Sequence, residues 1–198
     1  MKKTMKFAGV AALALALTQS LQAIPVTGNI GFTGGAVLSG PITPVSAANA
    51  TGVATWISPV VTLTSGSFTV IPNTTAVAIA APWLFASGAS PFWTVSFSGE
   101  TFVFNLLTSG ITAHGGTPGV SGFVVVNGTG TVSGSGNHAY SATAMSWSFT
   151  SQDPVIRGNP DGWTFSASTS TVPDGASTAL LLGAALSGLT LLKRKFMA

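Results

Sequence analysis

The chain has 198 residues, 46% of them hydrophobic and only 6% charged, and it contains no cysteine. Soluble domains carry about 25% charged residues, so the body of this protein is unusually poor in charge; the missing cysteines exclude a disulfide framework, a thiolate-held zinc and a thiol nucleophile. The formal charge of +3 belongs to the two ends, Lys2, Lys3 and Lys6 at the start and Lys193, Arg194 and Lys195 at the finish. Between them, up to Val172, Arg157 is set against Glu100, Asp153 and Asp161, which removes the case for a nucleic-acid partner.

Met1 to Ala23 has the three regions of a secretory signal peptide. Lys2, Lys3 and Lys6 form the positive region, Phe7 to Leu17 is an apolar run too short to span a bilayer comfortably, and Thr18 to Ala23 is polar and ends in a small residue. The pattern predicts a signal helix removed by signal peptidase after Ala23, and hence export.

Residues 24–171 are expected to form one all-β domain, large enough to bury a core without a staple. Val53–Ile57, Val60–Thr64, Ser67–Ile71 and Ala76–Ala80 read as short strands, with turn signals at Ser58-Pro59, Ser65-Gly66 and Pro72-Asn73. Trp93, Val95 and Phe97 alternate with Thr94, Ser96 and Ser98, and Phe102, Phe104 and Leu106 follow after Ser98-Gly99-Glu100, which predicts a hairpin with Glu100 in its turn. Phe123–Val126 continues towards Val132. Met145, Trp147 and Phe149 alternate with serine and threonine, as do Trp163, Phe165 and Ala167. One apolar and one hydroxyl face per strand is the pattern of antiparallel sheets packed on one side, and many short strands favour a β-sandwich of jelly-roll-like arrangement. Asn49, Asn73 and Asn127 begin glycosylation-type triplets, a pattern that is common by chance.

The titratable groups of this domain are few. Acid–base or nucleophilic catalysis would have to draw on Glu100, Asp153, Asp161, His114 and His138. No Gly-x-Ser-x-Gly elbow occurs, and both histidines fall in glycine-rich stretches. Asp153, Asn159 and Asp161 are the oxygen donors a loop calcium site would use, although an Asn-Pro-Asp-Gly turn accounts for residues 159–162 without a metal. The expectation is no catalytic residue, no metal and no cofactor.

Val172-Pro173-Asp174-Gly175 is a turn-forming tetrad. Residues 176–192 carry no charge and would reach about 25 Å as a helix, the short end of a membrane span. Lys193, Arg194 and Lys195 follow at once and would remain cytoplasmic. The pattern predicts a C-terminal transmembrane helix with the β domain outside the cell.

This order of parts, VPDGASTALLLGAALSGLTLLKRK, resembles the PEP-CTERM class of bacterial sorting signals, and most closely its VPDSG variant, with Gly175-Ala176 where that variant has Ser-Gly. The resemblance implies recognition by an exosortase, a membrane-embedded cysteine transpeptidase-like enzyme that cuts near the motif and releases or transfers the passenger. The expected function is therefore a non-enzymatic exported protein of the cell surface or extracellular matrix, with signal peptidase, exosortase and, transiently, the membrane as partners. The alternative is an extracellular module that binds polysaccharide through exposed aromatic faces, for which Trp56, Trp83 and Trp93 are the candidates.

Overall fold

A computed structural model describes residues 23–118, 120–153 and 163–171. The predicted signal helix before Ala23, Arg157, Asp161, the sorting motif at 172–175, the predicted transmembrane helix and the basic cluster at 193–195 lie outside the described residues. In chain order the strands are β1 (Ile24–Pro25), β2 (Asn29–Ser39), β3 (Gly52–Thr64), β4 (Ala78–Ile79), β5 (Trp83–Leu84), β6 (Ala89–Phe97), β7 (Glu100–Gly115), β8 (Phe123–Ser135), β9 (Tyr140–Gln152) and β10 (Trp163–Thr171). One 3-10 turn, Gly66–Val70, follows β3.

The period-2 pattern becomes strands wherever it is regular. In β9, Met145, Trp147 and Phe149 are buried while Ser146, Ser148 and Thr150 are only partly covered. In β10, Phe165, Ala167 and Thr169 point inward. The hairpin between β6 and β7 is tighter than predicted. Its turn is the two residues Ser98 and Gly99, with φ of 49° and 84°, and Phe97 pairs with Glu100. Two-residue turns of this kind match the right-handed twist of the flanking strands. Glu100 is therefore the first residue of β7, on the same inward face as Phe102, Phe104 and Leu106, instead of a residue of the turn.

The expected two-sheet, jelly-roll-like sandwich is realised as one curled sheet. Its strand order is β4-β6-β7-β8-β9-β10-β2-β3-β5, with β1 added to β9, so β6 to β10 form a meander without Greek-key crossings. The segment between β3 and β6 explains the difference. Val61 N–H donates to Thr75 O at 2.9 Å and Val77 N–H to Pro59 O at 3.0 Å, which holds the segment on β3. Ala78 and Ile79 then pair with Thr94 and Trp93 of β6, and Ala80 N–H donates to Phe92 O at 2.7 Å. Finally Trp83 and Leu84 return to Val53 and Gly52 of β3. One stretch of chain thus bonds both edges and draws them together.

Three other expected strands change for local reasons. Val53–Ile57 and Val60–Thr64 are a single strand, irregular where Ser58 takes a φ of 45° and the pairing with β2 shifts register. Ser67–Ile71 is largely the 3-10 turn, which directs Phe68 inward so that its ring meets Phe102 at 4.9 Å and Trp93 at 6.4 Å.

Opposite walls of the curled sheet meet through aromatic rings. Phe32 of β2 lies 5.2 Å from Trp93 of β6, and Trp83 lies 5.6 Å from Phe149 of β9 in an edge-on contact. Such tilted pairs contribute about 0.5–1.5 kcal/mol each beyond the area they bury. The indole N–H of Trp93 donates to the Thr169 hydroxyl at 3.0 Å, which satisfies two polar groups inside the core.

Both described chain ends lie at one end of the body. Ile24 and Pro25 pair with Tyr140 and Ser141 at the start of β9. Thr171 pairs with Met145, and its N–H donates to Gly28 O at 3.2 Å.

Truncating the central ring, Phe149→Ala, is expected to cost about 3–5 kcal/mol, whereas Ser148→Ala on the outward face should stay within about 0.5 kcal/mol. Urea unfolding of the two variants checks this; equal midpoints would contradict the core described here.

Candidate functional site

The titratable side chains do not gather. Glu100 and His138 meet at the end that carries the chain termini, while Asp153 and His114 sit at the opposite end. Among the described residues no group of three His, Cys, Asp or Glu side chains comes together to hold a metal.

Glu100 is 3% exposed because the tight hairpin places it on the apolar face of β7. Its Oε1 accepts a hydrogen bond from His138 Nδ1 at 2.5 Å, and Oε2 has no hydrogen-bond partner. Donation from Nδ1 leaves Nε2 as the ring atom facing away from the carboxylate. Asn137 Nδ2 donates to Ser98 O at 3.1 Å, so neighbouring residues tie the turn before β9 to the β6–β7 hairpin. Tyr140 packs its ring on Phe102 at 5.2 Å; burial first, and then the negative charge of Glu100, raise its phenol above the ordinary value. A signal for the Glu100 position was present in the sequence: counting back by twos from Phe104 and Phe102 arrives at Glu100.

Asp153 does not stand in an open loop. Its Oδ1 accepts from Ala47 N–H at 2.7 Å and its Oδ2 from Gly122 N–H at 3.1 Å, and its own N–H donates to Gly122 O at 2.8 Å. A Cβ at Gly122 would lie 2.4 Å from Oδ2, so only glycine allows this approach. The carboxylate clasps the β2–β3 connection to the ends of β8 and β9, and His114 Nδ1 reinforces it by bonding Ala48 O at 3.1 Å. Asp161 and Asn159, the other oxygen donors considered for calcium, lie outside the described residues.

The three tryptophans considered as sugar platforms belong to the core. Trp83 and Trp93 are buried. Trp56 is half-buried, donates its indole N–H to Ala80 O at 2.8 Å and sets its ring edge-on to Phe165 at 4.8 Å. The outer surface offers instead an open groove of about 650 Å³ across β7, β8 and β9, lined by Thr108, Asn127, Thr129, Ser146 and Ser148 among others.

The terminus-bearing end is where the predicted sorting tail departs. β10 ends at Thr171, and the Val-Pro-Asp-Gly tetrad begins at the next residue. Residues 171–196 match the family model of the VPDSG-CTERM motif. The chain carries a PEP-CTERM-like sorting signal. No curated protein and no solved structure matches the chain. The signal implies export through a membrane-anchored precursor, and its match starts on the last residue of the last strand, so no spacer separates the sorting signal from the folded body. Among the described residues no helix is long and apolar enough to cross a membrane; the span predicted at 176–192 falls outside them.

Tyr140 is the sole tyrosine of the chain, so phenolate absorbance reports one group. Its midpoint is expected above the free value of about 10. Glu100→Gln should lower it while leaving it above that value, because burial is the larger cause. The folded state holds this proton more tightly than the unfolded chain. Its contribution to stability is thus complete below the free value and is lost as pH rises through the raised one. An unshifted midpoint in the wild-type chain would contradict the packing described for Tyr140.

Proposed function

We propose that the protein is a non-enzymatic exported passenger, delivered to the cell surface or extracellular matrix by its C-terminal sorting signal and processed there by an exosortase. The observation that carries this reading is the match at residues 171–196, which begins as β10 ends. Three further features support it. The N-terminal pattern is that of a signal peptide, and the strand that follows its predicted cut after Ala23 starts at Ile24. The apolar run at 176–192 closes on Lys193-Arg194-Lys195, as a stop at the cytoplasmic face requires. The two carboxylates of the described body, Glu100 and Asp153, are each engaged in holding connections together, which is structural work.

In this reading signal peptidase removes Met1 to Ala23 during export. The tail then holds the precursor in the membrane with the β body outside. Exosortase cuts within or beside Val172–Gly175, and the body is released or transferred to an acceptor. What the body contributes after release is its surface: hydroxyl-faced and poor in charge, suited to accumulating outside the cell with few ionic partners.

Deleting Pro173–Ala198 tests the sorting role. The truncated protein is expected to fold, because the last described strand is intact, and to be found away from its normal surface location in cell fractions. Unchanged surface placement of the truncated protein would refute the role.

A further inference from the structure

The joint between body and tail carries a geometric consequence. Four residues, 172–175, separate Thr171 from the apolar run, which is five residue steps to Ala176; an extended chain covers at most about 3.6 Å per step, so the first apolar residue lies within about 18 Å of Thr171. The run itself reaches only about 25 Å as a helix, against a hydrocarbon core of about 30 Å. A span shorter than the core draws its flanking residues toward the bilayer, which shortens the tether further. The tether therefore keeps the Thr171 end of the body close to the bilayer surface.

The end of the body that must face the bilayer is formed by the Thr27-Gly28 turn, the 3-10 turn Gly66–Val70, the Ser98-Gly99 turn and the turn before Tyr140. Hydrogen bonds join these pieces: Ser67 N–H donates to Thr27 O at 2.8 Å, and Ile24 N–H donates to Ala139 O at 3.2 Å. Ile24, Val70 and Phe97 project there at 55%, 42% and 43% exposure. The one carboxylate of this end among the described residues, Glu100, is buried, so no exposed acid there is repelled by anionic headgroups.

We propose that, in the unprocessed precursor, this end lies against the outer bilayer surface with Phe97, Val70 and Ile24 in the lipid interface. The proposal rests on reading residues 176–192 as the membrane span. The contact holds the body in one orientation and keeps the Val172–Gly175 motif at the depth of the interface, where a membrane-embedded enzyme can reach it. Hydrophobicity alone does not choose this end, since Ile42 and Val120 are as exposed at the other; the tether chooses it.

The absence of cysteine from the chain makes the test direct. Single variants Phe97→Cys, Val70→Cys, Ile42→Cys and Val120→Cys in the full chain are labelled with a polarity-sensitive fluorophore. They are then placed in nanodiscs of neutral and anionic phospholipid that carry a headgroup-level nitroxide quencher. Labels at 97 and 70 are expected to be blue-shifted and quenched several-fold more strongly than labels at 42 and 120. Equal quenching at both ends, in a chain that has entered the discs, overturns the contact and leaves the span intact. A chain that does not enter the discs overturns both. All four positions are exposed, so the substitutions leave the core untouched, and near-ultraviolet circular dichroism checks that each variant is folded.

Discussion

The fold depends on the stretch from Thr74 to Phe85, which bonds to β3, crosses to β6 and returns to β3. A sheet with two open edges offers rows of unpaired N–H and C=O groups to other chains, and proteins usually guard such edges with charged side chains. This protein has almost no charge to spend. It removes much of the exposed edge instead, because one segment satisfies parts of both. Curling puts one face of every long strand inside, and that face is where the tryptophans and phenylalanines lie. The scarcity of charge and the closure of the sheet are therefore two sides of one solution, with the outer face left to serine, threonine and asparagine.

The same economy governs the carboxylates. Burying an ionised group without partners is expensive, yet Glu100 and Asp153 are both buried. Asp153 is met by two backbone N–H groups and Glu100 by the ring of His138. Each fastens a connection at one end of the body: Asp153 the β2–β3 connection, Glu100 the turn that leads into β9. The strands supply the walls, and these two groups help to keep the ends shut.

The sequence disclosed the parts of this architecture that are written locally. Alternation located β9, β10 and both arms of the β6–β7 hairpin, because the side-chain period of a strand is two and a buried face must be apolar. The sorting signal was also legible, since its tetrad, apolar run and basic stop are read in linear order. The closure was not. Whether Ala76–Ala80 joins one sheet or bridges two edges depends on hydrogen bonds between residues far apart in the chain, and period-2 patterning is the same in both cases. Phe68 lies in a 3-10 turn where a strand is expected, because an apolar residue among serine and threonine looks alike in a strand and in a 3-10 turn that plugs the end of a core. A charged residue beside Ser-Gly suggests a solvent-exposed turn, but Glu100 begins β7, because the face occupied by Phe102 and Phe104 overrules that preference. The tryptophans, considered as sugar platforms, went where large apolar rings on alternating strands go.

Among the described residues the first strand begins at Ile24 and the last ends at Thr171, between the proposed signal peptide and the C-terminal sorting signal. Intact-mass and terminal-peptide mass spectrometry of the protein recovered from the surface of its own cells tests this most directly. The expected species starts at Ile24, and its polypeptide ends within or beside Val172–Gly175. A surface species that still carries Met1–Ala23, or that retains Lys193-Arg194-Lys195, would contradict it.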